Sequence, residues 1–145
     1  MKILITGGCG YVGTKLTYAL LEKGHQIIVV DTMWFGNFLE EHERLTVIQQ
    51  DIREIDSIPL QGVDTFIHLA NIANDPSVEL NPSLSWEVNV LTSQQLAESC
   101  IKNGVKHFIY ASSGSVYGVK EEPEVTEDLS LVPISVYNKT KMVAE

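Results

Sequence analysis

Tyr137 and Lys141 stand four residues apart near the end of a chain of 145 residues. On a helix that spacing puts both side chains on one face. A phenol ionises near pH ~10 and is a poor base at neutrality unless its anion is stabilised. The Lys141 ammonium is a candidate for that task, since a nearby positive charge favours the phenolate. At the other end of the chain, Gly7, Gly10 and Gly13 lie in the run Thr6-Gly7-Gly8-Cys9-Gly10-Tyr11-Val12-Gly13, between a strand pattern and a helix pattern. In that setting the triplet reads as a dinucleotide-binding turn. Gly7 would make the tight turn, Gly10 would let the backbone approach a pyrophosphate, and Gly13 would let the helix pack closely. The helix N-terminus would receive the negative charge. Asp31 follows 18 residues after Gly13, where a carboxylate can accept hydrogen bonds from adenosine ribose hydroxyls. Residues 32–37 contain no Arg or Lys to hold a 2'-phosphate, so NAD is expected rather than NADP. Simpler readings remain beside these: glycines of an ordinary turn, a strand-end carboxylate, and a surface tyrosine next to a solvated lysine.

Such residues need a scaffold, and the chain spells one. Residues 2–6, 26–30, 46–49, 65–69 and 107–111 are short runs rich in Ile, Val and Phe. They are continuous rather than alternating, as in strands buried on both faces. Between them, residues 11–23 place Val12, Leu16, Ala19 and Leu20 on one helical stripe that Gly24 stops. Asn81 can cap a helix that Pro82 begins, with Leu84, Val88, Leu91 and Ile101 carrying it to Gly104. Alternation of this kind predicts an α/β fold: a Rossmann-type, doubly wound parallel sheet with right-handed crossovers. Residues 1–145 are expected to form one NAD-binding domain, with no linker or second domain. The acidic stretch from Glu121 to Asp128 reads as a solvated loop, with a lid as the alternative.

Composition narrows the function classes. Hydrophobic residues make up 44% and charged residues 20% of the chain, the balance of a globular protein. A formal charge of -9 argues against binding nucleic acid, which needs clustered cations. No apolar run approaches spanning length, so no membrane association is expected. Cys9 and Cys100 are the only cysteines, which fits reduced thiols in a cytoplasmic protein. The four histidines are scattered without partners at ligand spacing, so no metal site is expected.

A second constellation completes the pattern: Ser112, Ser113, Gly114, Ser115, Val116, Tyr117 and Gly118 after the fifth strand, then Tyr137 and Lys141. Together with the three glycines, Asp31, Asp51-Ile52 and His68-Leu69-Ala70, this order resembles the extended short-chain dehydrogenase/reductase superfamily. Within it the chain is most similar to the NAD-dependent nucleotide-sugar epimerase/dehydratase branch, from Lys2 to Glu145. The resemblance implies that Ser113, Tyr137 and Lys141 are catalytic, Tyr137 taking a sugar hydroxyl proton while NAD accepts the hydride. It also implies cofactor contacts from Gly7, Gly10, Tyr11, Val12, Gly13, Asp31, Asp51, Ile52, Leu69, Ala70, Asn89, Ser112, Tyr137 and Lys141. A UDP- or dTDP-sugar would be the substrate, and a homodimer the assembly. Asp51 could equally cap a loop, Asn89 could be an exposed helix residue, and Ser113 could merely satisfy a strand-end backbone group.

The residues beside Ser113 separate reactions within the branch. Dehydratases of this kind carry an Asp-Glu pair directly after the active-site hydroxyl residue; here those positions are Gly114 and Ser115. Without both carboxylates, elimination lacks its acid and base. The expectation is therefore a UDP-glucose 4-epimerase-like enzyme or a sugar-nucleotide dehydrogenase. Relatives of this type run to roughly twice the length, so the chain reads as their N-terminal portion. The alternative is a non-catalytic NAD-binding fragment or module.

Overall fold

Ile, Val and Phe fill the strand segments because β-branched and aromatic side chains suit a pleated, buried surface. In a computed structural model describing residues 1–145, they form β1 (Lys2–Thr6), β2 (Gln26–Asp31), β3 (Leu45–Gln49), β4 (Thr65–His68) and β5 (His107–Tyr110). Every pairing is parallel and the order is β3-β2-β1-β4-β5. The expected strands are all present, with ends moved by one residue. β2 extends to Asp31 because Asp31 pairs with Gln49. Burial on both faces holds for β1, β2 and β4, where Leu4, Ile5, Val29 and Phe66 are wholly enclosed. It does not hold at the two edges: Thr46 of β3 and His107 and Ile109 of β5 are exposed, since an edge strand has a neighbour on one side only.

The residues group into two compact units, Met1–Ala70 with Thr92–Ala111, and Asn71–Leu91 with Ser112–Glu145. The first holds the whole sheet, helix α1 (Tyr11–Glu22) and helix α4 (Thr92–Lys102). Its core joins Ile3, Ile5, Leu21, Ile27, Val29 and Ile67. Helix α1 buries Gly13, Thr17 and Leu21, with Leu16 and Leu20 packed beside them. Val12, expected on this stripe, is 61% exposed, and Ala19 is exposed as well. A hydrophobicity pattern cannot see Gly13, yet Gly13 sets the phase: a Cβ there would run into the carbonyl oxygen of Gly7. At the other end the Gly24 N–H donates to the Leu21 carbonyl and the His25 N–H to that of Leu20, with Gly24 at φ +82°. This is the paired closure that a left-handed glycine permits.

The second unit contains α2 (Asp75–Leu80), α3 (Pro82–Trp86), a π turn (Glu87–Leu91), a 3-10 turn (Gly114–Tyr117) and α5 (Val136–Ala144). Asn81 caps α3 as expected, accepting from the Leu84 N–H at 3.1 Å. The single helix expected from Pro82 to Gly104 is instead α3, the π turn and α4. A π turn takes an extra residue and shifts the phase of the helix beyond it. Leu91 and Ile101 consequently lie 51% and 78% exposed, while Ser85, Val88 and Asn89 are the buried positions before the shift. Helix α2 has a start signal in Asn74, whose side chain accepts from the Ser77 N–H, and in Pro76 inside the first turn. Residues 121–128 are exposed and irregular, as the acid-rich composition suggests. Their loop is closed at its base by the Val132 N–H on the Val116 carbonyl at 3.0 Å.

Gly13→Ala tests the contact that sets α1. The added methyl meets backbone rather than a flexible side chain, so the substitution should cost about 1–3 kcal/mol in urea unfolding. An unchanged midpoint would show that the helix can shift away freely.

Candidate functional site

In the first unit the three glycines have three separate reasons. Gly7 sits at φ +73°, and a Cβ there would lie 2.6 Å from the Ala70 nitrogen. Its N–H donates to the Val30 carbonyl and its own carbonyl accepts from Gly10. Gly13 admits the helix. At Gly10 a Cβ would meet only the Gly7 carbonyl oxygen, at 3.3 Å, so the backbone there faces open space. Gly10 is also the N-cap of α1 and supplies no side-chain cap, which leaves first-turn N–H groups for an anion. Tyr11 and Val12 project outward beside it, 84% and 61% exposed.

Asp31 closes the turn. One carboxylate oxygen accepts from the Cys9 N–H at 3.0 Å and the other from the Met33 N–H at 2.7 Å. Each oxygen has room for a second bond, so this pin of the glycine turn can also accept from a ribose. Leu69 and Ala70 are half-buried against it, the Leu69 N–H on the Thr6 carbonyl and the Ala70 N–H on Thr6 Oγ1. His68 is enclosed, with Nδ1 2.6 Å from Thr6 Oγ1 and Nε2 2.9 Å from Ser93 Oγ. Asp51 is gripped by the Arg53 guanidinium at 2.7 Å, whose hydrogen bond holds the carboxyl below its ordinary value. Ile52 turns its side chain into the core, so only its backbone is left for a ligand. Burial, followed by the Asp31 charge, pushes the Cys9 thiol up to about 11; it is no nucleophile at neutral pH.

The second unit assembles the hydroxyl and amine groups. Ser113 caps the 3-10 turn, its Oγ accepting from the Ser115 N–H at 3.2 Å. Ser135 caps α5 by accepting from the Asn138 N–H, which sets Tyr137 in the first turn and Lys141 one turn on. The Ser113 hydroxyl lies near enough to the Tyr137 hydroxyl to favour its ionised form. Tyr137 nonetheless stays above its ordinary value, through burial first and the Asp75 carboxylate second, against the Ser113 hydroxyl. Lys141 is 2% exposed, and burial pulls its ammonium down to about 8, with Glu145 opposing. Asn89, also enclosed, accepts from the Ile72 N–H at 2.7 Å and donates to the Ile72 carbonyl and to Thr140 Oγ1. Thr140 in turn donates to the Tyr137 carbonyl at 2.7 Å. Asn89 thus supports the turn of α5 that bears Tyr137. Ser112 is exposed directly before Ser113.

Sequence reasoning missed Asp75, Asn138 and Thr140. Asp75 had a signal in the helix start Asn74-Asp75-Pro76; Asn138 and Thr140 had none, because their roles come from burial. No three His, Cys, Asp or Glu side chains come together to hold a metal ion. No helix is long and apolar enough to cross a membrane.

The buried Lys141 makes stability depend on pH. Its folded value is about 8, against ~10.4 for an unfolded lysine. Between these the unfolded chain binds more protons, so stability rises with pH. The difference between the wild-type chain and Lys141→Met, which cannot titrate there, should therefore move in favour of wild type from pH 7 to pH 10. Thermal unfolding across that range would show it; a constant difference would contradict the buried ammonium.

A sequence profile of the NAD dependent epimerase/dehydratase family matches residues 3–145. The UDP-glucose 4-epimerase of Corynebacterium glutamicum is 31% identical over 98% of this chain and 44% of its own. Among solved structures, the UDP-glucose 4-epimerase of Thermotoga maritima with UDP-glucose superposes with a TM-score of 0.86 at 31% identity, over 99% of this chain and 48% of that one. The dTDP-glucose 4,6-dehydratase DesIV of Streptomyces venezuelae, with NAD and TYD bound, gives 0.90 at 26% identity, over 99% and 49%. The chain spans about half the length of the relatives it matches. It belongs to the NAD-dependent epimerase/dehydratase family.

Proposed function

We propose that this chain is the NAD-binding portion of a UDP-sugar 4-epimerase and carries its proton-transfer residues. The observation behind this reading is that α5 carries Tyr137, on whose ionisation Ser113 acts, with Lys141 buried one turn on, beside Gly114 and Ser115 instead of two carboxylates. DesIV, a dehydratase, shares the fold as closely as the epimerase does, so overall likeness does not choose between the reactions. Gly114 and Ser115 favour epimerisation, since neither is a carboxylate that could serve as acid or base for loss of water. A 4-keto-6-deoxy product would overturn the choice.

The residues fit NAD. Gly7, Gly10 and Gly13 would carry the pyrophosphate, with Tyr11 and Val12 at the helix start. Asp31 would take the ribose, Asp51 and the Ile52 backbone the adenine side, and Leu69, Ala70, Asn89 and Ser112 the remaining contacts. Bound NAD supplies a hydride acceptor and a cationic ring. Tyr137 holds and moves the proton of the sugar hydroxyl, Ser113 orients that hydroxyl, and Lys141 lends positive charge to the phenolate. The fold alone keeps Tyr137 protonated, so a ligand cation must draw its proton affinity down before it can act as a base. The two buried free thiols, Cys9 and Cys100, agree with a cytoplasmic setting. Exposed Leu80, Leu91 and Val143 in the second unit leave apolar surface for a homodimer.

Coverage of about half a relative favours a second outcome, an NAD-binding module without turnover of its own. Titration with NAD and NADP, followed by assay with UDP-glucose, separates the readings. NAD should bind at least ten-fold more tightly than NADP, and Asp31→Ala should lose about 10–100-fold, the worth of hydrogen bonds to a charged group. Binding without turnover supports the module; equal binding of NADP, or no binding, removes the assignment of Asp31.

A further inference from the structure

Asn138 follows Tyr137 in α5, is 8% exposed, and has no part in the proposed proton transfer. Its amide carbonyl oxygen lies 2.7 Å from Ser115 Oγ. Ser115 Oγ in turn lies 2.6 Å from Ser113 Oγ. We propose that Asn138 is a positioning residue which, acting through Ser115, fixes the direction in which Ser113 donates its hydroxyl proton, an inference that rests on the proposed role of Ser113 and Tyr137.

The number of protons available sets the direction of each bond. A carbonyl oxygen only accepts, so Ser115 donates to Asn138. Ser115 has one hydroxyl proton, so towards Ser113 it can only accept. The proton of Ser113 is therefore directed to Ser115, and the Ser113 oxygen is presented to its other neighbours as an acceptor. It takes the Ser115 N–H. The chain Ser113 to Ser115 to Asn138 has a donor and an acceptor at every link.

A phenolate reverses the demand. It needs a donor, and the nearest is the single proton of Ser113. If that proton swings to Tyr137, two serine oxygens 2.6 Å apart face each other without a proton, unless Ser115 gives up its bond to Asn138. Ser115 is exposed and can turn to water, but the buried Asn138 oxygen then loses its partner. Asn138 thus opposes loss of the Tyr137 proton and sets how basic Tyr137 is once a substrate hydroxyl competes for Ser113.

Other groups also act on Tyr137. The elements packed against α5 carry Asp75 and Glu79 on α2, Glu87 on the π turn and Tyr117 on the 3-10 turn. Helix α5 itself carries Lys139 and Lys141, with Glu145 at its C-cap. None of these bears on Ser115, so removing the amide changes the hydroxyl chain and leaves those charges in place.

The test is the titration of Tyr137 in the full chain, read by NMR of 13Cζ-labelled tyrosine and assigned by the signal lost in Tyr137→Phe. Asn138→Ala, and the isosteric Asn138→Leu should the first fail to fold, are expected to lower the Tyr137 midpoint by about half a unit to one unit, the range of one hydrogen bond. Ser115→Ala should lower it similarly, and Ser113→Ala should raise it. In the Ser115→Ala background, Asn138→Ala should add nothing. An Asn138 effect that persists without Ser115, or no effect in the single variants, would overturn the proposal. The readout needs no turnover. A chain that titrates as described but does not convert UDP-glucose fails the functional reading and leaves the positioning role of Asn138 standing.

Discussion

Helix α1 rests backbone against backbone on the turn that precedes it, and no side chain fits between Gly13 and Gly7. That contact fixes where the helix N-terminus lies and hence where its unpaired N–H groups point. The same turn is held on two further sides. Asp31 binds its Cys9 N–H from the end of β2, and Ala70 presses on Gly7 from the end of β4. Three parallel strands thus bring their carboxyl ends to one loop, the place where open parallel sheets bind ligands. Asp31 shows how a structural role and the proposed ribose contact can coincide. The carboxylate is a turn pin because it accepts two backbone N–H groups, and those bonds hold it still for a third partner.

The second unit works by different physics. Lys141, Asn89 and Thr140 are enclosed in it and Tyr137 is half-buried, and burial moves the two titrating groups apart: the Tyr137 phenol upward, the Lys141 ammonium down to about 8. Each shift disfavours the charged form. Burial thus opposes a phenolate at Tyr137 and weakens the hold of Lys141 on its proton. Asn89 makes the enclosure rigid through three hydrogen bonds from the π turn. A π turn lets one residue be set off the helical repeat without ending the helix. Asn89 lies within that turn and is buried.

How much of this could be read from the chain depends on what carried the signal. The strands were legible because Ile28, Val29, Phe66 and Ile67 are apolar whichever face they turn, and the glycine turn because Gly7 occupies a left-handed backbone position. The face of α1 was misread because a residue without a side chain sets it. The helix after Asn81 was read as one piece because nothing in Glu87–Leu91 marks a π turn; its cause lies in the tertiary bonds of Asn89. Tyr137, Lys141 and Ser113 stood out by type and spacing. Asn138 and Thr140 did not, since a buried amide or hydroxyl has the same letter as an exposed one.

The replacement of two carboxylates by Gly114 and Ser115 therefore has two sides. It removes the groups elimination needs, and it puts a hydroxyl where a carboxylate would repel a phenolate. A carboxylate beside Ser113 would take its proton as a permanent acceptor and hold a negative charge near Tyr137. Ser115 accepts the same proton without that charge, and Asn138 decides how firmly. An oxidation and reduction at one carbinol centre asks Tyr137 to give up and regain one proton in each cycle. On the proposed reading, a neutral, directional hydroxyl chain biases that proton without trapping it.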